Sequence, residues 1–453
     1  MKKNEVNMLS GSIVKGLLII AIPIMVMNVG QSLFNIIDMT ILKTHGTSEG
    51  MVGAVGACST LISLITGLLI GCATGANVMV AKCIGRGNKE YVEKAVGTSM
   101  LLSIMGGLLL LVIGVSFAET FLRWTNCPEE LLKEAVLYFR LYFTGVPILM
   151  IYNFSAAILR SAGDSRRPMI FLLLGGAVKV ILTYVFVAVF HLAIVGVACA
   201  TILSWFVTAA LAVYTLLNND GIVKLKFSKI RVYRQEIVSI LQIGVPAGLQ
   251  QALYSVANVV ISATVNSFGA EATTGISIAN NFDSVLYQIS TATSLAVMPY
   301  VSQNVAKGNI RRATQTVKRG IMITVCLGAT FGALSAVFSA ELSSIMSSDP
   351  AVIAYSQQKM IIISSTYFIQ GINAILGEAL RGMGRPTIPT IATFLFMCAI
   401  RFPWVYLVFP HFRNLTFLYL IWPIGWVLSI IMLLCFYFPT VKKLYGIRDR
   451  ESL

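Results

Sequence analysis

Residues 16–38 read GLLIIAIPIMVMNVGQSLFNIID, and no charge interrupts the run before Asp38. About 20 apolar residues in a helix, rising ~1.5 Å each, cross the ~30 Å hydrocarbon core of a bilayer. The stretch is therefore a membrane-spanning helix. Gln31, Asn35 and Asp38 recur at helical spacing, so one polar stripe runs along an otherwise apolar surface. Residues 239–261 read SILQIGVPAGLQQALYSVANVVI, with Pro246 and Asn258 where the first stretch has Pro23 and Asn35. An apolar span and its copy, half a chain apart, set the architecture.

Outward from this pair, apolar segments recur along all 453 residues, of which 57% are hydrophobic and 12% charged. Such a chain has too little polar surface for a soluble domain. Spans are expected near 16–42, 51–81, 93–117, 131–159, 168–190 and 192–217, then near 237–266, 272–303, 316–338, 351–380, 387–409 and 415–440. Barrel strands would alternate apolar and polar residues, and these runs do not. The fold class is thus all-α integral membrane, with twelve helices.

Shifting the sequence by about 221 residues aligns more than the first helix. Gly87-Asn88 falls on Gly308-Asn309, Arg160 and Gly163 on Arg381 and Gly384, Pro168 on Pro389, and Trp205 on Trp426. So many matches at one offset indicate duplication. Six helices per copy, an even number, give both copies one orientation: two pseudo-symmetric lobes in a parallel repeat. The expected division is an N-terminal lobe (1–217), a basic cytoplasmic linker (218–236) and a C-terminal lobe (237–453). A two-lobe plan of this kind suits alternating access to a cleft.

The net charge of +15 is a topology signal. With the N-terminus inside, the inner segments hold 26 of the 34 Lys and Arg residues, and the outer ones hold only Lys43, Arg123, Lys133 and Arg413. Both termini are therefore expected in the cytoplasm. The basic loops meet anionic lipid headgroups, and nucleic acid is not an expected partner. The eight cysteines are scattered without CxxC spacing and read as packing residues. His45, His191 and His411 lie near outer loops, and no metal site is expected.

Ionisable groups at membrane depth mark cavities or partners. The acids are Asp38, Asp283 and Glu378; the bases are Arg140, Lys179 and Arg401. Glu134 and Lys359 lie near outer helix ends, where snorkelling accounts for them. Glu378 precedes Arg381 by three residues and suits a local helix pair. Lys179 lies ~16 Å along its helix from the cytoplasmic side and needs an anion, for which Asp38 is the obvious partner. Arg401 stands within one residue of the repeat-equivalent of Lys179. Pro23 lies inside the first helix, where it favours a kink and could serve as a hinge tied to the charge state of Asp38.

The run Pro23 through Phe34-Asn-Ile-Ile-Asp38, the stretch Gly71-Cys-Ala-Thr-Gly75, and Tyr152-Asn153 through Arg160-Ser-Ala-Gly163-Asp164 together resemble bacterial multidrug and toxic compound extrusion transporters of the DinF-like branch. Ser302-Gln303-Asn304 and Leu380-Arg381-Gly382-Met-Gly384 extend the resemblance over essentially the whole chain. It implies two six-helix lobes forming a V, and export of small molecules driven by entry of sodium or protons. It also implies an acidic, amide-lined cavity that would include Asp38, Asn153 and Thr201. On the fifth helix the family carries asparagine and, four residues on, aspartate or asparagine; this chain has Lys179 and Thr183. An ammonium cannot ligate sodium, so proton coupling is expected ahead of sodium.

Ion coupling is accordingly expected at Asp38, Lys179, Thr183, Asn153 and Thr201. Substrate contacts are expected from Gln31, Asn35, Gln250, Gln251, Tyr254, Asn258, Asn280, Asn281, Asp283 and Arg401. No cofactor is expected, the substrate charge is open, and a monomer in the bacterial cytoplasmic membrane is expected. A flippase for a lipid-linked saccharide is the nearest alternative. HExxH, clustered carboxylates and GxxxxGK[ST] are absent, which argues against an enzyme and against direct ATP drive.

Overall fold

The computed structural model describes residues 6–45, 50–125, 129–219 and 221–451. The first half of the chain forms α1 (Ile13–His45), α2 (Gly50–Arg86), α3 (Lys89–Ser116), the short α4 (Ala118–Trp124), α5 (Glu129–Ser161), α6 (Arg166–Tyr184) and α7 (Ala193–Leu217). The second half forms α8 (Arg234–Asn266), α9 (Ala270–Ala306), α10 (Ile310–Val337), the short α11 (Ser339–Ser344), α12 (Pro350–Ser364) and α13 (Tyr367–Gly382). It ends with α14 (Thr387–Thr393), α15 (Arg401–Pro403), α16 (Phe409–Phe412), α17 (Leu415–Tyr419) and α18 (Ile421–Glu451). π-Helical turns at Val185–Val189, Phe394–Ala399 and Trp404–Val408 extend α6 and bracket α15.

The duplication is visible in element lengths. Helices α1 and α8 have 33 residues each, α2 and α9 have 37, and α3 and α10 have 28. Among the described residues, eleven spans are long and apolar enough to cross a membrane, counting α12 and α13, bent by 47°, as one. The twelfth is α9, as long as α2 but studded with Asn280, Asn281, Asp283 and Gln288. Polar side chains on a helix this long belong where protein, rather than lipid, faces them.

Close packing divides the chain into two compact units. One comprises Met1–Asn7 and Val26–Gln251, the other Met8–Met25 and Ala252–Leu453. The boundary crosses α1 just past Pro23, although α1 is one unbroken helix there. In the first unit, Ile62, Phe139, Phe143, Val146, Met150 and Val197 share a buried core. There α2 meets the start of α8 backbone to backbone: a Cβ on Gly71 or Gly75 would strike main-chain atoms of residues 240–248. Small residues of this kind let membrane helices approach without a hydrophobic drive. In the second unit, Tyr367, Met397, Phe409, Tyr419 and Trp426 form the corresponding core.

The expected linker is not a loose tether. Val223 and Leu225 are buried, the Leu225 amide donates to the Leu216 carbonyl at 2.9 Å, and Lys226 pairs with Glu93 of α3 at 2.8 Å. It docks on the first unit.

Candidate transport and coupling site

In the first unit, glycine sets how closely α1 and α6 approach. The Phe34 ring of α1 occupies the space that a side chain at Gly176 of α6 would need. Helix α6 is held in turn against α7, where the Ser204 hydroxyl donates to the Gly175 carbonyl at 2.8 Å. One turn beyond Phe34, Asp38 then faces two residues one turn apart on α6. Lys179 Nζ lies 2.5 Å from Asp38 Oδ2, and the Thr183 hydroxyl donates to Asp38 Oδ1 at 3.0 Å. Both carboxylate oxygens are thus engaged, and Asp38 and Thr183 are buried.

Asn153 and Thr201 do not join this group by direct contact. Asn153 Nδ2 donates to the Leu149 carbonyl at 2.9 Å, and the Thr201 hydroxyl donates to the Val197 carbonyl at 2.8 Å, each within its own helix. Gln31 is exposed, and Gln251 lies over Gly67 of α2. Gln250 belongs to the same unit. The side chain of Asn35 lies outside the described residues.

The second unit gathers a larger polar cluster from six segments. Asp283 of α9 pairs with Lys359 of α12 at 2.8 Å, and Lys359 also donates to Asn280. The Tyr367 hydroxyl of α13 donates to the Asp283 carbonyl at 3.0 Å. Arg401 donates through Nη1 to Asn258 Oδ1 of α8 at 2.7 Å. Its guanidinium lies between Tyr254 and Trp422, 5.5 and 5.0 Å from the ring centroids. Lys359 Nζ approaches the same Trp422 ring at 6.0 Å. Asn281 points elsewhere, 4.0 Å from Met346 Sδ.

Lys359 corrects the expectation of snorkelling. It is 3% exposed and pairs with a carboxylate that is largely withdrawn from the surface. Its nearness to a helix end in the sequence hid this, yet Ser356 and Gln358 beside it already marked a polar stretch. Trp422 and Tyr367 were also missed, because nothing in an aromatic residue's spacing separates a cation's neighbour from core packing. Glu378 and Arg381 do form the expected local pair.

A MatE family model matches residues 23–185 and again 246–407, once in each half of the chain. The chain belongs to the MatE family. This MatE transporter is 28% identical over 409 residues to the probable multidrug resistance protein NorM of Thermotoga maritima, covering 88% of this chain and 86% of that protein. It is 24% identical over 443 residues to the probable multidrug resistance protein YoeA of Bacillus subtilis, covering 95% of each. Its fold matches the outward-facing conformation of a multidrug resistance MATE family transporter with a TM-score of 0.90, at 20% identity, over 98% of this chain and 99% of that one. The MatE protein is therefore a multi-pass membrane transporter of twelve helices in two lobes, not an enzyme, and moves small molecules by secondary active transport.

Proposed function

We propose that this transporter exports small organic compounds by proton antiport, with the Asp38–Lys179–Thr183 group as the coupling site. The observation that carries the reading is the 2.5 Å pair between Lys179 and Asp38. A proton arriving at Asp38 cancels the carboxylate's charge and leaves the ammonium without its counter-ion. A largely shielded cation at membrane depth is disfavoured in that condition, so protonation biases α1 and α6 toward a different arrangement. Sodium would have to displace an ammonium that has three donors and no acceptor, which favours the proton. Pro23 in α1 supplies a flexible point in the same helix as Asp38, and the boundary of the compact units just beyond it supports a hinge there. Alternating access would then link proton entry to substrate exit, with both termini in the cytoplasm.

The test is transport into proteoliposomes of fluorescent organic compounds of either charge, under a pH gradient and then a sodium gradient. Proton-driven uptake should fall by about two orders of magnitude in Asp38→Asn, as expected when a proton-transfer group is removed. Lys179→Asn should weaken proton drive and allow sodium dependence to appear. Undiminished proton-driven uptake in Asp38→Asn would remove this group from coupling.

A further inference from the structure

The repeat makes two cations at membrane depth comparable, and their surroundings differ in one respect. In the first unit, Lys179 of α6 meets the carboxylate of Asp38 on α1. In the second unit, Arg401 meets Asn258 on α8, the repeat of α1, and Asn258 is a neutral amide. Positions 179 and 401 correspond within one residue of the repeat offset, and Asn258, the equivalent of Asn35, lies one helical turn before the equivalent of Asp38. The second unit keeps the cation and the bridge between the two helices but has no counter-ion there.

Arg401 is 1% exposed, and its Nη2 is buried without a hydrogen-bond acceptor. Among the described residues no carboxylate lies within ion-pair distance of it; Asp283 is already engaged by Lys359. A guanidinium offers five donors, and leaving such a charge buried and unpaired is costly in a protein interior or at membrane depth. A second orphaned donor lies nearby. The Tyr419 hydroxyl is buried without a partner, and its ring centroid is 6.4 Å from that of Trp422, the ring that also flanks Arg401 and Lys359. The π-helical turns on either side of α15 set Arg401 off the regular helical register, a feature frequent at functional sites.

We propose that Arg401, assisted by the Tyr419 hydroxyl, forms a subsite for the carboxylate or phosphate group of a small organic anion, whose apolar part lies against Trp422 and Tyr254. With Asp283 and Lys359 cancelling each other, the cluster carries one net positive charge, which favours an anion and repels an organic cation. The subsite rests on the reading of the chain as an exporter and names the class of compound exported.

The experiment measures equilibrium binding by fluorescence anisotropy in phosphatidylcholine nanodiscs, with no gradient. The probes are fluorescein, an aromatic carboxylate, and rhodamine 6G, an aromatic cation of similar size. The decisive variant is Asn258→Asp, which gives Arg401 the counter-ion that the first unit has and so does not threaten folding. Fluorescein binding should weaken about ten- to a hundredfold in Asn258→Asp and in Arg401→Gln, with rhodamine 6G binding not weakened. Unchanged fluorescein affinity in folded Asn258→Asp would overturn the subsite, as would tighter binding of the cation than of the anion by the native protein. Adding phosphatidylglycerol separates two sources of the anion: displacement of fluorescein that disappears in Asn258→Asp assigns the site to a lipid headgroup, and no displacement assigns it to a soluble compound. Because binding is read without a gradient, its outcome is independent of whether Asp38 couples protons. Loss of the subsite with intact Asp38-dependent transport refutes only the anion. Retained binding with Asp38-independent transport refutes only the coupling.

Discussion

Lys359 and Asp283 show why single charged residues at membrane depth act as pairs. Lys359 is buried and Asp283 is 13% exposed, and their 2.8 Å contact is the main compensation for withdrawing both from water. Truncating one strands the other, at a cost of about 3–5 kcal/mol, whereas replacing both with apolar side chains is often near neutral. Lys359→Met should therefore lower the melting temperature in detergent sharply, and Lys359→Met with Asp283→Leu should recover most of the loss. A double variant no more stable than the single one would mean that Asn280 and Trp422, not Asp283, hold the lysine. At this scale Asp38 was legible because it ends an apolar run and shares a stripe with Gln31 and Asn35. Its pairing with Lys179 was expected because a lysine at that depth needs an anion, and the packing of α1 against α6 supplies it. Lys359 was not, because a lysine near a helix end has two readings that only burial separates.

Between elements, the repeat is written in turn chemistry. Gly163 and Gly384 both close their helices at positive φ, +88° and +82°. Left-handed backbone costs an L-residue about 1–2 kcal/mol. At Gly384 no atom lies near a would-be Cβ, so Gly384→Ala should cost only that strain. At Gly163 the Cβ would also collide with the Val6 backbone, so Gly163→Ala should cost clearly more; equal melting points for the two would contradict the packing of residue 6 there. Asn88 and Asn309 cap α3 and α10 by accepting from backbone amides within the first turn. Truncating either to alanine should cost about 1 kcal/mol.

The turn before α6 adds a pH dependence. Asp164 accepts from the Arg167 amide at 3.1 Å and is 1% exposed. Burial pushes its carboxyl above the usual range, against the opposing pull of Arg167 and Arg166. A raised folded value means that the fold favours the protonated form, so stability is lost as pH rises from the ordinary value, about 3.9, through the folded one. Asp164→Asn keeps a capping acceptor and should melt higher than the native protein at pH 7. That advantage should shrink as pH falls and vanish below the ordinary carboxyl value. A constant difference at all pH values would exclude the carboxyl as its source.

For the molecule as a whole, two segments that look like loose connections are anchored. The linker carries Lys224, Lys226, Lys229, Arg231 and Arg234, five tryptic sites, yet it lies against α3 with the Lys229 carbonyl where a Cβ on Gly97 would be. Gly97→Val should lift it and raise its trypsin cleavage rate about tenfold; equal rates would mean that the docking is too weak to protect. Near the N-terminus, Arg312 donates to the carbonyls of Met8, Ser10 and Gly11, and Asn304 donates to Met8, so residues 8–11 are held within the second unit.

The sequence by itself determined the number of membrane spans, most of their boundaries to within a few residues, the duplication and the class of function. Those properties depend on composition over 20-residue windows and on glycines and caps whose backbone requirements are local. Only the tertiary structure decided which cations have counter-ions. Asp38 and Lys179 are 141 positions apart, and Asn258 and Arg401 are 143 apart, so the chain's periodicity carries no signal of their contact. The difference between a neutral buried pair and an uncompensated guanidinium arises from where a few side chains converge after packing.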